Sequence, residues 1–572
     1  MNAEILLKHF DRISEVTDAV PRLRQFILDL AVLGKLVEQD ANDEPASHLL
    51  KRIRSERVRL ANAGESRKEK ALPPLSHFEL HELPPLWCWS QLAEVGCLNP
   101  RNSAPDDLQA SFVPMPMISA EYGIANRHEV RRWGDIKSGY THFAEGDVGL
   151  AKITPCFENG KSAIFRGLTG GIGAGTTELH IVRPILVSAE YILIFLKSPH
   201  FIESGIPKMT GTAGQKRVPT EYFSYSPFPL PPLTEQHRIV AKVEELMTLC
   251  DRLEEAQNER ENRRDQLSAA ALHYLNNGAE DEGFREHARF FINHLPRLTV
   301  RPKQIKGLRQ SILDLAVRGK LVPQCADDEA ASKLLDRLRS RRDSVEVTGP
   351  VRRRKSELSP MDYSLAPFDI PSNWTWARFP ELGVFGRGKS KHRPRNDPSL
   401  FDGGTHPLIQ TGDVARSKGL VETYTGMYND VGLAQSHKWP AGTLCITIAA
   451  NIADSGILTF AACFPDSVVG FVPAAVFSNA RYFEYFLRTA KENLLEFAPA
   501  TAQKNINLEI LNAVMIPLPP VAEQIRIVER VDHLMHVCDQ LEEQLSTARM
   551  ESHNLLEAVL HYSLAPVAVE AQ

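Results

Sequence analysis

Two stretches of the chain place side chains at alternating steps of four and three residues, a spacing that keeps one stripe along a helix. The first stripe runs from Ile239 to Tyr274 and the second from Ile527 to Tyr562. Because such a stripe covers only about two-sevenths of a helix surface, it is too narrow for a globular core. Each helix is therefore predicted to pair with another long helix in an antiparallel coiled coil. The positions are Ile239, Val243, Leu246, Cys250, Leu253, Gln257, Arg260, Arg264, Leu267, Ala271 and Tyr274, then Ile527, Val531, Leu534, Cys538, Leu541, Leu545, Ala548, Ser552, Leu555, Val559 and Tyr562.

A pair of prolines precedes each of these helices and predicts where it begins. Proline disfavours helix in the residue before it, so residues 231–232 and 519–520 end the preceding segments. Thr234 is the predicted N-cap of the first helix, because its hydroxyl can accept a backbone N–H. Ala522 lacks that hydroxyl in the second helix.

The chain repeats itself at an offset of 285 to 288 residues. Residues 23–39 and 308–324 form a predicted helical segment and are identical at 14 of 17 positions. Two further pairs keep the same offset, namely LPPLTEQHRIV with LPPVAEQIRIV and PPLWCW with PSNWTW. A tandem duplication with pseudo-twofold symmetry follows from these three pairs.

Between these repeated flanks the two halves diverge, over residues 90–229 and 377–517. These two inserts are predicted to be α+β, because apolar runs rich in β-branched residues alternate with turn signals and short helical patterns. The predicted strands cover residues 146–155, 176–184 and 442–452, and the predicted helices cover residues 191–199 and 479–497. Glycine and proline mark residues 276–300 and 343–370 as linkers.

These patterns divide the chain into five predicted regions. Two insert domains alternate with three helical regions, one of which holds the first long helix and a linker. The regions are an N-terminal helical region at 1–71, a first domain at 72–232, a central region at 233–345, a second domain at 346–520 and a C-terminal helix at 521–572.

Composition restricts the functional classes. The 66 Lys and Arg against 71 Asp and Glu give a net charge of −5, which excludes a protein that binds nucleic acid merely by being basic overall. Eight cysteines without a CxxC pair argue against a disulfide scaffold or zinc ribbon. The sequence has no run of 18 apolar residues and no export signal, so a reducing cytoplasm is the predicted location.

The clearest enzyme-like motif, GVFGRGKS at residues 383–390, formally matches a phosphate-binding loop. Such a loop needs a helix directly after its Lys-Ser pair, but Pro394 and Pro398 break any helix there. Read for charge, the same stretch is either a duplex-contacting loop or a solvated charge run, and its glycines would allow close approach to a backbone. Its cations are Arg387, Lys389, Lys391, Arg393 and Arg395.

The first insert holds a second basic cluster at residues 126–143. It mixes cations with aromatic, hydroxyl and amide groups, which suits contacts to phosphates and base edges. The alternative is a polar hairpin. Further candidate contacts lie on a predicted turn and on a Gln-Lys pair that both inserts retain before their proline exit. The candidates are Arg127, Arg131, Arg132, Lys137 and Tyr140, then Asn159 and Lys161, then Gln215, Lys216, Gln503 and Lys504.

Other chemistry is not indicated by the sequence. The glycines of residues 169–180 precede a strand-like run, so they predict a turn and not a dinucleotide site. Neither Asn-Pro-Arg at 99–101 nor Asp-Pro-Ser at 397–399 completes a base-methylation tetrad. The histidine pairs at 77 and 81 and at 533 and 536 are predicted to be surface residues without metal partners.

In combination, the AVxGKLV segment, the LPPLxEQxRIV start of a heptad helix, the Trp-marked segments and the GQK segment resemble the specificity subunit of Type I restriction-modification systems. The resemblance covers essentially the whole chain. It implies two target recognition domains that each read one half of a split, asymmetric double-stranded DNA site. The competing classes from the residues alone are a coiled-coil scaffold with two protein-binding domains and an enzyme that uses the loop at residue 383.

The resemblance also implies partners and a division of chemistry. Two methyltransferase subunits would carry S-adenosylmethionine and modify adenine N6. Two translocase and nuclease subunits would supply Mg- and ATP-dependent cleavage. This chain would contribute no catalytic residue, hold no metal and bind no cofactor, and its helices would set the spacing between the two half-sites.

Overall fold

The computed structural model describes residues 13, 15–64, 72–78, 80–212, 214–277, 282–342, 360–392, 394–449, 452–496 and 508–564. The chain is α+β and divides into two compact units. Unit 1 comprises Met1–Arg260 and Arg549–Gln572, and unit 2 comprises Glu261–Ala548.

The elements up to the first long helix are short, apart from two helices near the N-terminus and the long helix itself. The helices are α1 (Ala19–Val32), α2 (Ala46–Asn62), α3 (Leu92–Val95), α4 (Trp133–Ile136), α5 (Ala189–Lys197), α6 (Pro199–Gly205), α7 (Thr220–Tyr225) and α8 (Leu233–Asn277). The strands are β1 (Cys88–Gln91), β2 (Gly96–Leu98), β3 (Gln109–Val113), β4 (Glu129–Arg132), β5 (Thr141–Ala144), β6 (Val148–Ala151), β7 (Ser162–Ile164), β8 (Ile172–Gly175), β9 (Leu179–Pro184) and β10 (Pro227–Leu230).

The rest of the chain follows a similar order of elements. The helices are α9 (Glu282–Leu298), α10 (Pro302–Val317), α11 (Ala331–Arg342), α12 (Phe379–Leu382), α13 (Thr411–Arg416), α14 (Asp430–Ala434), α15 (Arg481–Glu496), α16 (Leu508–Ala513) and α17 (Val521–Leu564). The strands are β11 (Thr375–Ala377), β12 (Gly383–Arg387), β13 (His406–Leu408), β14 (Leu420–Val421), β15 (Gly426–Tyr428), β16 (Lys438–Trp439), β17 (Leu444–Thr447), β18 (Ser455–Leu458), β19 (Ala462–Cys463), β20 (Val468–Pro473) and β21 (Ile516–Leu518).

Each insert contains two sheets whose strands pair in the same order. In unit 1 the orders are β2-β9-β6-β7 and β4-β3-β8-β5, and in unit 2 they are β12-β20-β17-β18-β14 and β15-β13-β19-β16. The second sheet of each insert has one parallel pair, β3 with β8 or β13 with β19. The diverged inserts therefore share one strand order, with one extra edge strand, β14, in unit 2.

A two-stranded antiparallel ribbon closes each insert. β1 pairs with β10, so that Trp89 lies opposite Pro229, and β11 pairs with β21, so that Trp376 lies opposite Pro517. The first residue of each long helix follows directly, since the N–H groups of Gln236 and Gln524 donate to the carbonyls of the second prolines of their pairs. Both ends of an insert thus leave from neighbouring strands.

The repeated flanks make matching contacts in the two units. Gln39 donates to Glu235 and Gln324 donates to Glu523, and both carboxylates are completely buried. Gly34 and Gly319 end the repeated helical segments with φ values of +69° and +73°, a left-handed conformation that glycine adopts without strain. An added Cβ would lie 2.4 Å from Pro84 or Pro371 respectively, so the near-identical sequence preserves near-identical packing.

The predicted strands and short helices of the inserts are confirmed. β6, β9 and β17 lie inside the three predicted strand segments, α15 lies inside the predicted segment 479–497, and α5 overlaps the predicted segment 191–199 but begins two residues earlier. The repeated segments at 23–39 and 308–324 are helical only as far as Val32 and Val317, because the glycine two residues later ends each helix.

Three predictions about the flanks are wrong. Residues 276–300 are not simply a linker, since α9 spans Glu282–Leu298 and packs Phe291 and Leu298 against Ala271 and Leu275. Thr234 is not the N-cap, because α8 already begins one residue earlier. Its hydroxyl instead donates to the Asp43 carboxylate of the preceding helical region.

The third correction concerns the stripe on α8. Its first part does enter a globular core, where Ile239, Val243 and Cys250 pack with Leu28 and Val32. On α17, Ile527, Val531 and Cys538 likewise join the core of unit 2. The first turns of a long helix can therefore pack into a globular core even where the apolar stripe is narrow.

Further along α8, Ala271 is buried as predicted, but burial at two other positions lies one residue after the predicted stripe. Leu267 and Tyr274 are 52% and 53% exposed, whereas Ser268 and Leu275 are buried. Over ten steps, a period of 3.6 residues advances about one residue further than a period of 3.5. Burial on α8 therefore follows the period of a straight helix.

Candidate nucleic-acid interface

The outer strand β4 of the first insert carries the first predicted cations. All four of its side chains are exposed. The Arg131 guanidinium lies over the Phe112 ring, 3.9 Å from the centroid, and its Nη2 donates to Glu129 Oε2 at 2.6 Å. Because a guanidinium carries five N–H donors in a planar fork, this arrangement orients Arg131 and leaves further donors for a ligand.

The short helix α4 and the loop after it place the next candidates. Lys137 forms an ion pair with Asp106 at 2.7 Å, and Arg132 forms a longer one with Asp135 at 3.3 Å. Both pairs are exposed, so they stabilise the fold little and are easily exchanged for other anions. Arg127 is exposed and forms no ion pair within the part of the chain that the structure describes.

Tyr140 borders an open cleft of about 600 Å³. Its ring meets Phe112 edge-on at 5.0 Å, and the facing wall is formed by Thr176 and Thr177. Met115 also lines the cleft, and its carbonyl lies 3.5 Å from Lys161 Nζ. The cleft thus connects two groups of candidates that are far apart in the sequence.

The turn with Asn159 and the loop with Gln215 and Lys216 also lie together. The Thr154 N–H at the start of the turn donates to the Lys216 carbonyl at 2.9 Å. Asn159, Gln215 and Lys216 are exposed. The neighbouring Arg217 pairs with Glu178, and its hydrogen bond lowers the pKa of that carboxyl. Residues 126–143, 154–161 and 215–217 therefore border one surface of the first insert.

In the second insert, residues 383–390 do not form a phosphate loop. The first five form β12, which pairs antiparallel with β20, and the described residues from Gly388 to Asp397 contain no helix. Gly388 does not serve close approach to DNA, contrary to the sequence-based interpretation. A Cβ at that position would lie 2.3 Å from the Phe464 carbonyl, so internal packing occupies this space.

The basic segment after β12 is held against the end of α14. The Lys391 N–H donates to Gln435 Oε1 at 2.6 Å, and Ser436 Oγ donates to the Lys389 carbonyl at 2.8 Å. Burial, together with the charges of Lys389 and Lys391, lowers the pKa of His437. Arg387 is exposed, and Arg395 pairs with Asp466. Arg393, Gln503 and Lys504 lie outside the described residues.

The two basic clusters lie on different segments of the common strand order, the first on β4 and α4 and the second after β12, but the corresponding segments contact each other in both inserts. In the first insert the segment after β2 contacts the segment after α4, through Arg101 Nη1 and the Tyr140 carbonyl at 3.3 Å. In the second, the segment after β12 contacts the end of α14, through Lys391 and Gln435. Sequence reasoning missed Arg101, since only the strand pairing brings it beside Tyr140.

The histidines singled out in the sequence do not assemble a site in the described residues. Burial lowers the pKa of His81 to about 4, and its ring packs edge-on against Trp89, so it is not a surface residue as predicted. The side chain of His77 lies outside the described part. No group of three or more His, Cys, Asp and Glu in the described chain could hold a metal ion. No described helix is long and apolar enough to cross a membrane.

Comparisons with known proteins identify a family that this chain resembles. The profile described as "Type I restriction modification DNA specificity domain" matches residues 371–548. The EcoAI specificity subunit of Escherichia coli, a Type I restriction enzyme subunit, is 35% identical over 561 residues, covering 94% of this chain and 93% of its own. The EcoEI specificity subunit of the same species is 37% identical over 561 residues, covering 95% of this chain and 94% of its own.

A solved structure from a study of complex assembly and conformational transition in the Type I R-M system has a similar fold. Its TM-score is 0.50 at 19% identity, covering 85% of this chain and 99% of that chain. Fold similarity alone would not establish a family, but two relatives above 30% identity match this chain over nearly their whole length. The chain belongs to the family of Type I restriction-modification specificity subunits.

Proposed function

We propose that this chain is the DNA-recognition subunit of a Type I restriction-modification complex and reads a bipartite, asymmetric target. Each insert reads one half of that target. The chain docks two methyltransferase subunits, which carry S-adenosylmethionine, and works with two translocase and nuclease subunits that use ATP and Mg. It performs no catalysis itself, holds no metal and acts in the cytoplasm.

One observation carries this proposal, beside family membership. The two inserts share a strand order but present different side chains at the matching surface. The first presents Arg131 on Phe112 beside an open cleft, and the second presents Lys389 and Lys391 on a packed loop. Sequence is specified by contacts to base edges, whereas phosphate contacts only position the protein. Two domains with the same scaffold but different surface side chains are therefore suited to two different half-sites.

We also propose that the chain is a tandem repeat whose long helices form an antiparallel coiled coil. The way the two helices divide between the units supports the repeat. α8 belongs to unit 1 up to Arg260 and to unit 2 from Glu261, whereas α17 belongs to unit 2 up to Ala548 and to unit 1 from Arg549. These changes lie 288 residues apart, which is also the offset of the two LPP segments. Each helix thus begins in one unit and ends in the other, as pseudo-twofold symmetry requires.

The test exchanges residues 90–229 for the insert of a relative and maps methylated sites in cells that carry the whole system. One half of the target is expected to change, and the other half and the modified base are expected to stay. The matched control exchanges residues 377–517, which should change the other half alone. A change in both halves, or in neither, contradicts the proposal.

A further inference from the structure

A cation stands at the same position of matching helices in the two units. Tyr191 of α5 and Tyr482 of α15 each donate a hydroxyl hydrogen bond to a carbonyl of the closing strand, β10 or β21. Because the two bonds are equivalent, Tyr191 and Tyr482 are corresponding residues of the two helices. Lys197 lies six residues after Tyr191, and Arg488 lies six residues after Tyr482.

Lys197 is almost entirely enclosed by the first insert, with 7% of the residue exposed. Its ammonium donates to the carbonyls of Ala120 at 2.8 Å, Gly160 at 3.0 Å and Ser119 at 3.4 Å. Three acceptors match the three donors of an ammonium group. A buried charge without such partners would be costly, so the side chain links the two backbone segments to α5.

These two segments support the candidate surface from behind. The buried Gly160 lies between the exposed Asn159 and the half-buried Lys161 on the turn. Ser119 follows the segment with Met115, which lines the cleft beside Tyr140. Lys197 therefore bonds to the residue that separates two predicted DNA contacts, Asn159 and Lys161, while it is itself buried.

Arg488 holds a loop of the second insert in a corresponding way. Its Nη2 donates to the Lys418 carbonyl at 2.7 Å, while its Nε bonds to the buried Glu484 carboxylate. Lys418 has a φ of +46°, which is strained for a residue with a side chain. A Cβ on Gly419 would lie 2.3 Å from Arg488 Nη2, so the loop fits closely around the guanidinium. Lys418 on this loop and Arg416, the last residue of α13 just before it, are exposed.

We propose that Lys197 and Arg488 are positioning residues that each fix, from behind, a loop with which one insert reads its own half-site. The inference rests on the proposed function and adds to it a residue pair that touches no DNA. It also assigns the loop with Lys418, together with Arg416 just before it, to the recognition surface of the second insert. Because each cation acts within its own insert, each is expected to affect one half-site alone.

The experiment selects duplexes from a library with randomised bases, using the full chain with its partner subunits, and sequences what is bound. Lys197→Met keeps the aliphatic stem and removes the three donors. It is expected to lower the base preference in the first half-site about tenfold, since a displaced loop loses a base contact, and to leave the second half-site unchanged. Arg488→Met is expected to do the reverse, and Arg488→Lys to restore part of the preference.

The unaffected half-site reports that each variant is folded. If Lys197→Met lowers the melting temperature so far that the chain does not fold, Lys197→Gln, which keeps an N–H donor, replaces it in the selection. Equal loss in both half-sites, or no change in either, overturns the positioning role. A wild-type complex that enriches no bipartite sequence overturns the proposed function instead, so the two failures are distinguishable.

Discussion

The repeated flanks and the inserts of this chain preserve different things. The flanks keep residue types and contacts, as in the hydrogen bonds from Gln39 to Glu235 and from Gln324 to Glu523. The inserts keep only the order and direction of their strands. A buried polar contact fails when one partner changes, whereas a sheet tolerates many sequences with the right alternation. Packing therefore restricts which residues the flanks can carry, whereas the surface side chains of the inserts can change without altering the strand order.

The largest expected effect comes from a flank residue. Trp374 is 5% exposed and its Nε1 donates to Glu523 at 3.1 Å. Trp374→Ala should destabilise the chain by about 3–5 kcal/mol, because it leaves a cavity and an unpaired carboxylate oxygen. Chemical denaturation measures this change. Tyr363→Ala, at a residue that is 57% exposed, is the control and should change stability by less than about 0.5 kcal/mol.

On the insert side, replacing Lys389, Lys391 and Arg393 together by Ala should weaken duplex binding with little loss of stability. Each lost phosphate contact lowers the logarithmic salt slope by about 0.9, so three contacts lower it by roughly 2.7. Binding titrations at several salt concentrations measure the slope. Alanine at the exposed flank residues Lys51, Lys333 and Arg530 should leave it unchanged. An unaltered slope in the insert variant would identify a solvated charge run.

A pH prediction sharpens the comparison between the two inserts. His180 of β9 is buried and stacks on Phe223, and burial lowers its pKa to about 4. Because the unfolded chain binds this proton near pH 6.5, His180 should make stability fall as pH falls from about 6.5 to 4. The strand pairing places Val469 at the matching position of the second insert.

His180→Val should therefore remove about 2 kcal/mol of the stability difference between pH 7 and pH 5. Denaturation of both proteins at the two pH values tests this, and the other titrating groups cancel between them. His180 hydrogen-bonds the Val218 carbonyl, and the charged groups that act on it are Lys152, Glu221 and Glu178. An identical pH dependence in the variant would contradict the role of His180.

The smallest expected effect on affinity comes from lengthening the long helices. One added heptad in both α8 and α17 extends each helix by about 10.5 Å, or roughly three base pairs. The distance between half-sites should change, while the half-site sequences stay the same. Overall activity should fall, because each added base pair also rotates the second half-site by about 35°. Mapping the methylated sites measures both the half-site sequences and the distance between them. Altered half-sites at an unaltered distance would refute the role of the long helices in setting that distance.

Sequence reasoning predicted the flanks well where the pattern was long. It placed both long helices, yet it missed α9, because Pro296 and the preceding glycines suggested a linker while Phe291 and Leu298 provided a packing face. In the second half of α8 it placed two stripe positions, Leu267 and Tyr274, one residue off, because residue types alone cannot separate a period of 3.5 from 3.6. At the tenth step from Ile239 the shorter period predicts burial of Tyr274, whereas the buried residue is Leu275.

The candidate site was predictable in composition and not in arrangement. Arg131, Lys137 and Lys389 stand out as cations among polar residues. The cleft beside Tyr140 does not, because it depends on β3 pairing in parallel with β8, about 60 residues further along the chain. Strands of two to six residues give too little periodicity to predict such pairing. Lys197 was missed because a lysine in an apolar helix gives no sign of the carbonyls that it meets.

The ribbons that close the inserts have a consequence for how such genes change. Opposed residues of antiparallel strands have Cα atoms only about 4.5–5.5 Å apart, so the two ends of an insert are fixed as neighbours whatever lies between them. A replacement needs only a polypeptide whose own ends meet at that distance, as domain insertions do. The DNA that encodes the near-identical flanks also offers two similar stretches for recombination. A single crossover there would exchange one insert and leave the contacts within the flanks unchanged.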